Sequence, residues 1–245
     1  MALHFVLDAP IDAAIGDAVA LTGDEAHHAA AVRRVRVGEE VTVGDGRGLW
    51  LTGECEAASP REVIVRITDR TETPVPTRRI VLAQALAKGD RDELAVQAAT
   101  ELGVDEIIPW QAARSVSRWD AAKAEKGRAR WASIVREAAK QAHRAWIPEV
   151  MPLETTAALA GRSAASLVVV LEPTSSQRVT DLGVDPSDLR DLVLVVGPEG
   201  GIAPEELAAF ERSGAKVARL GDTVLRTSTA GPAALSVLSA ALHRW

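Results

Sequence analysis

Three stretches near the amino end, "EEVTVGDG" (39–46), "GLWLTGECEA" (48–57) and "REVIVRITD" (61–69), alternate apolar and polar residues one by one. That period puts one face of a strand in a core and the other in water, so each stretch predicts a β-strand. Gly44-Asp45-Gly46 and Ala58-Ser59-Pro60 supply turns between them. A short helix interrupts the strands: Thr22 and Glu25 have the spacing of a capping box, and "AHHAAAVRRV" follows. Short strands with one helix predict a small β-barrel over residues 1–73. "DRTETPVPTRR" (69–79) has two prolines two apart and few large apolar groups, so it reads as extended chain, with 74–79 as the linker.

Beyond the linker the rhythm changes to strand followed by helix. "IVLAQAL", "DEIIPW", "SLVVVLEP", "DLVLVVGPEGG" and "KVARLGD" read as strands. "RDELAVQAATELG", residues 120–144, "PEELAAFERSG" and 229–243 read as helices, the first ended by Gly103 and the third opened by Pro204 and closed by Gly214. Two of the strands are apolar on both faces, as in a parallel sheet covered on each side. Residues 80–245 are therefore expected to form an α/β domain with a parallel sheet.

Composition narrows the picture. The chain has 245 residues, 47% of them hydrophobic, enough for two domains with real cores. No run of about 18 apolar residues suggests a membrane span. The start, "MALHFVLDAPIDAA", lacks the pattern of a signal peptide, so a soluble cytoplasmic protein is expected. One cysteine, Cys55, excludes a disulfide framework, and the five histidines show no metal-ligand spacing, so no metal is expected. The net charge is −6, yet Ala112–Trp146 carries nine bases against three acids, a local +6. Such a patch is either a solvated helix face or a phosphate footprint.

The candidate chemistry lies in "LVVGPEGGIAPEE" (194–206), where a buried strand runs into a glycine turn that opens a helix. In open α/β sheets, ligands sit outside the carboxyl ends of the strands. Gly197, Gly200 and Gly201 let a ligand approach the backbone, and the first amides of the helix are donors. The pattern is neither G-x-G-x-x-G nor a P-loop, and Glu199 would repel a phosphate. The turn suits a close-packed ligand that is not strongly anionic. "RLGDTVLRTSTAG" (219–231) is a second strand-to-helix loop, with Thr227 or Ser228 as the cap and Arg226 just before it.

"GPEGG…EE…LG…VLRTSTA" resembles the carboxyl-terminal signature of the RsmE family of ribosomal RNA methyltransferases, within the SPOUT superfamily. "HHAAAVRRVRVGEEVTVGDG", "KGDRDELAVQAATELGVDEIIPWQAARS" and "VREAAKQAHRAWIPEV" look like further parts of the same family, in the same order. The resemblance implies a PUA-like β-barrel RNA-binding domain followed by a SPOUT methyltransferase domain with a trefoil knot. It implies S-adenosylmethionine as cofactor, a homodimer, and methylation of N3 of a uridine in 16S rRNA near the decoding site. The acidic net charge favours assembled or nearly assembled small subunits as substrate. The cofactor residues would be Leu171, Gly197, Glu199, Gly200, Gly201, Leu220, Gly221, Leu225, Arg226 and Thr227. Arg226 and Arg114 would be catalytic, as cations that favour the uracil anion. His28, Arg33, Arg34, Lys88, Arg91, Arg114 and Arg144 would dock the RNA. The closing helix, with Leu235, Leu238 and Leu242 at helical spacing, would serve the dimer or its own core. The chain departs from the family at Ala98, Ala203, Ser228 and His143, the last where glycine is common. Three other readings stand beside this one: ribose 2′-O-methylation with the same loops, a non-catalytic rRNA-binding factor, and a nucleotide-binding α/β enzyme, which the absent P-loop and G-x-G-x-x-G patterns disfavour.

Overall fold

The structure, a computed structural model, describes residues 2–245. Contacts divide it into two compact units: the chain up to Val75 together with Ala139–Ile147, and Pro76–Ala138 together with Pro148–Trp245. The return segment Ala139–Ile147 thus packs with the first unit, although it lies far beyond the linker in sequence.

In the first unit β1 (Leu3–Val6), β2 (Ala18–Thr22), β3 (Glu40–Gly44), β4 (Leu49–Ala58) and β5 (Glu62–Glu72) form one sheet in the order β1-β3-β4-β5-β2. Alternate residues of all five strands, among them Phe5, Leu21, Val43, Leu51 and Val65, meet in a single apolar cluster. α1 (Gly23–His27) runs on into a wider π turn over His28–Val32. The expected capping box does not form: the Thr22 side chain makes no cap bond. Glu25 accepts instead from Lys140 Nζ at 2.8 Å, with both side chains nearly buried. The return segment lies along the turn between β3 and β4, where Gly48 N–H donates to the Ala145 carbonyl and Ile147 N–H to the Gly46 carbonyl. Gly48 has φ +105°, and a Cβ there would meet the Thr73 carbonyl at 2.5 Å and the Trp146 ring at 2.8 Å, so only glycine fits.

The second unit holds β6 (Ile80–Ala85), α2 (Arg91–Glu101), β7 (Glu106–Trp110), most of α3 (Ala121–Gln141), β8 (Glu149–Val150), α4 (Thr156–Gly161), β9 (Leu167–Leu171), β10 (Leu192–Val196), α5 (Pro204–Arg212), β11 (Lys216–Ala218) and α6 (Thr227–Ala241). Its six strands are all parallel, in the order β11-β9-β10-β6-β7-β8. β10 lies between β9 and β6 and is buried along its whole length, which explains its unbroken apolar sequence. At the amino ends of the strands Arg79 pairs with Asp191 at 2.6 Å and with buried Glu106 at 2.8 Å, fixing how the strands start. α6 begins at Thr227 and buries Leu235 and Leu238 within its own protomer, so these leucines offer no dimer face. The reason is its packing on α2 and β10, which covers that side of the helix.

Candidate functional site

The carboxyl ends of the central strands bring Leu171 of β9, Val196 of β10 and Gln84 of β6 side by side in register. Above them opens a cavity of about 370 Å³. Leu171, Gly197, Glu199, Gly201, Leu220, Gly221, Leu225, Arg226 and Thr227 all line it, nine of the ten residues expected to hold a cofactor. Arg91, expected to dock RNA, lines it too, as do Glu172, Ile202, Arg219 and Val224, which sequence reasoning did not single out.

The three glycines of the turn have different reasons. A Cβ at Gly197 would meet Ile202 Cγ1 at 2.6 Å, so this glycine serves packing inside the turn. A Cβ at Gly200 would meet the Arg114 carbonyl at 3.2 Å, and Gly200 is not among the residues lining the cavity. Gly201 has φ +73°, faces the cavity, and has nothing nearer its missing Cβ than Arg114 Nη1 at 3.9 Å. Close approach of a ligand is therefore an account of Gly201 and not of its neighbours.

Glu199 braces the loop. Its Oε1 accepts from the Lys88 N–H at 2.9 Å and from Arg91 Nη1 at 3.0 Å. Burial pushes its carboxyl up, but hydrogen bonds from its own N–H and that of Lys88, with Arg91, outweigh it and hold the group below its usual value.

Two buried polar groups, neither singled out from sequence, hold the cavity's framework. Gln84, fully buried, donates from Nε2 to Thr227 Oγ1 at 2.9 Å, and that hydroxyl donates to the Gly197 carbonyl at 2.8 Å. Thr227 is thus the first residue of α6 and no side-chain cap; its hydroxyl ties the second loop to the first. Ser228 does not cap the helix either. Glu206, 8% exposed, accepts from the Ala113 N–H at 2.9 Å, the Thr156 hydroxyl at 2.6 Å and the Ala203 N–H at 3.1 Å. Ala203 has no hydroxyl for the usual reciprocal cap, so only the glutamate half of that motif is present. By gripping Ala113, Glu206 sets the 111–115 loop over the glycine turn, where Arg114 Nη1 donates to the Gly200 carbonyl at 3.2 Å. The sequence signals for Glu206 were its place three residues after Ala203, at the start of a helix, and its membership of the Glu205-Glu206 pair in the family signature.

Arg226 is exposed at the cavity, and its guanidinium has no hydrogen-bond or ion-pair partner among the described residues. Lys88, Arg91 and Arg114 surround the same turn. His28, Arg33, Arg34 and Arg144 lie in the first unit. Arg33 and Arg34 are exposed there, Arg34 with φ +58°, and the His28 ring packs edge-on to Phe5 at 6.3 Å. His143 has φ +53°, a left-handed position that glycine adopts without strain, and its ring lies 6.0 Å from those of His4 and Trp50.

A family model described as an RNA methyltransferase domain matches residues 73–239, and one described as an RNA methyltransferase PUA domain matches residues 21–68. The parallel sheet with its cavity and the small sheet before it are thus those of an RNA methyltransferase. A ribosomal RNA small subunit methyltransferase E from Mycobacterium bovis is 42% identical, over all of this chain and 94% of its own length. Two solved structures share the fold over 98% of both chains. One, a Legionella pneumophila methyltransferase in complex with its bound cofactor SAM, has a TM-score of 0.86 at 31% identity. The other, a ribosomal RNA small subunit methyltransferase E from Neisseria gonorrhoeae bound to S-adenosylmethionine, has a TM-score of 0.83 at 28% identity. The chain belongs to the ribosomal RNA small subunit methyltransferase E family.

Proposed function

We propose that this protein methylates N3 of a uridine in the 16S rRNA of the small ribosomal subunit, near the decoding site, with S-adenosylmethionine as donor. The observation that carries the reading is an apolar, glycine-floored cavity with a free arginine at its edge. Such a cavity fits this cofactor better than a phosphate ligand. Leu171, Ile202, Leu220 and Leu225 offer apolar walls to a flat base, Gly201 leaves room at the backbone, and Glu172 and Arg219 give charges of both signs for an amino-acid tail. Bound there, S-adenosylmethionine supplies an electrophilic methyl group on a sulfonium.

Uracil N3 carries a proton and has no free lone pair in the plane until that proton leaves. The chain's task is to hold the base in line and to favour its anion. Arg226, unpartnered at the cavity, donates to a uracil carbonyl oxygen and stabilises the charge left on O2 or O4 as the proton departs to solvent. Arg114, steered over the glycine turn by Glu206, holds the base from the other side. The target uridine must be unstacked to enter. His28, Arg33, Arg34 and Arg144 dock flanking RNA through the first unit. The family resemblance adds a homodimer and a trefoil knot to the proposal, and a cytoplasmic setting follows from a ribosomal substrate.

The test is transfer of a labelled methyl group to small subunits from cells lacking this gene, run beside their naked rRNA. The proposal expects label in assembled subunits and little in naked rRNA. Efficient labelling of naked rRNA would overturn the assembled-substrate part, and no labelling of either would overturn the activity.

A further inference from the structure

At the amino ends of the strands, on the edge of the sheet opposite the cofactor cavity, lies a second recess of about 520 Å³. Its walls are apolar: Pro76, Leu102, Pro186, Leu189 and Trp245, the last two each 63% exposed. Arg78 lines it and is itself only 7% exposed. Among the described residues the Arg78 side chain has one partner, the Asp185 carbonyl, which accepts from Nη1 at 3.0 Å. Its Nε and Nη2 are buried and have no hydrogen-bond partner among the described residues.

These two nitrogens share one edge of the guanidinium, and their N–H bonds run parallel, the fork that grips a carboxylate or phosphate with two bonds. Among the described residues no acid forms an ion pair with this fork. Arg244 is taken by Asp105 at 2.8 Å, and Arg190 by Asp188 at 2.7 Å. A buried cation is normally paired, because burial strips its hydration without return. Burial indeed pushes the Arg78 guanidinium below its ordinary pKa, with Asp188 and Asp185 opposing and Arg244 and Arg190 adding to the fall. The segment against the fork, residues 183–190, is hung lightly. Its bonds are local, Ser187 and Asp188 to Asp185 and Arg190 to Asp188, apart from the bond from Arg78.

We propose that this recess binds a small organic anion: a carboxylate or phosphate group on the Arg78 fork, with an apolar or aromatic body against Trp245, Leu102 and Leu189. Segment 183–190 moves aside to admit the anionic group. The site is separate from the cofactor cavity and does not rest on the methyltransferase reading.

The test uses the full chain without cofactor and three probes at fixed ionic strength: benzoate, phenyl phosphate and neutral benzamide. Unfolding temperature and the Trp245 indole resonance, assigned with Trp245→Phe, are the readouts. The expected result is a saturable rise in Tm and a moved indole signal with at least one anion and with neither readout for benzamide. Arg78→Met, which removes the unpaired charge but keeps the volume, should unfold no earlier than the native chain and bind the anion about tenfold more weakly or worse, the loss of one charge-assisted pair. Trp245→Ala should weaken phenyl phosphate but leave inorganic phosphate unchanged. No saturable response to either anion would overturn the site, as would an undiminished response in Arg78→Met. Inorganic phosphate binding as tightly as phenyl phosphate would overturn the organic body. Loss of a dimer in Arg78→Met, with no anion response in the native chain, would overturn the proposal and put a carboxylate from a second copy on the fork.

Discussion

Gly200 and Gly201 are neighbours, but their backs face different things. Adding a methyl at Gly201 forces an L-residue to φ +73°, a strain of roughly 1–2 kcal/mol, and narrows the cavity. Gly201→Ala should therefore weaken cofactor binding and lower stability together, read by titration calorimetry and thermal unfolding. At Gly200 the methyl presses on the Arg114 carbonyl and displaces the 111–115 loop. Gly200→Ala should then slow transfer while sparing cofactor affinity. Arg226→Ala should cut the single-turnover rate by about a hundredfold, the typical cost of one donor to a developing anion, with cofactor affinity kept. Equal rates in Arg226→Ala would remove it from the chemistry. Gln84→Met tests the buried relay. It also removes a carboxamide oxygen that has no partner among the described residues, so stability should change by less than about 1 kcal/mol. Cofactor affinity should nonetheless fall, because Thr227 no longer has a fixed donor behind it.

At the scale of elements, β1 and β3 are locked through His4, opposite Thr42, whose hydroxyl lies 2.9 Å from His4 Nδ1. The His4 ring stacks on Trp50 at 4.0 Å. Burial, with His143 and Lys140 nearby, lowers its pKa from 6.5 to about 3. The folded state therefore holds His4 neutral while the unfolded chain protonates it below about pH 6.5. The stability this contributes is present above that pH and is lost as pH falls toward about 3. Between about pH 8 and about pH 5 the loss should be about 2 kcal/mol, measurable as the difference between native and His4→Asn in urea unfolding across pH. Strands β4 and β5 were legible because one face is buried and the other largely polar; β3 alternates in sequence, but Thr42 on its second face is buried too, beside His4. β2 hid its alternation: Ala18 and Ala20 are exposed but apolar, so the polar half of the pattern is missing. β8 has only two residues, too few for any period. Nor does linear pattern reveal that β10 inserts between β6 and β9, or that Ala139–Ile147 returns to the β3–β4 turn.

For the whole molecule, charge counting along the chain overstates the basic surface. Within the stretch of nine bases, Arg130 pairs with Glu93 and buried Lys140 with Glu25, while Lys123 meets Asp120 at 3.6 Å. The acids that neutralise Arg130 and Lys140 come from elsewhere in the chain, which is why the sequence showed a patch of +6 and the fold shows less. The two loops proposed to hold the cofactor were readable because each is a continuous strand-to-helix turn. Their supports, Gln84 and Glu206, were not, since each acts on residues far away in sequence. The modest basic surface and the net charge of −6 are the grounds on which a structured ribosomal particle, over loose RNA, is proposed as substrate.

The central claim concerns which atom receives the methyl group. The most direct measurement is nucleoside mass spectrometry of 16S rRNA from small subunits methylated in vitro by this protein, with isotopically labelled S-adenosylmethionine. The account predicts label in N3-methyluridine. Label on a ribose 2′-oxygen would contradict it, leaving the fold and cofactor site in place but removing the uracil anion, and with it the role given to Arg226.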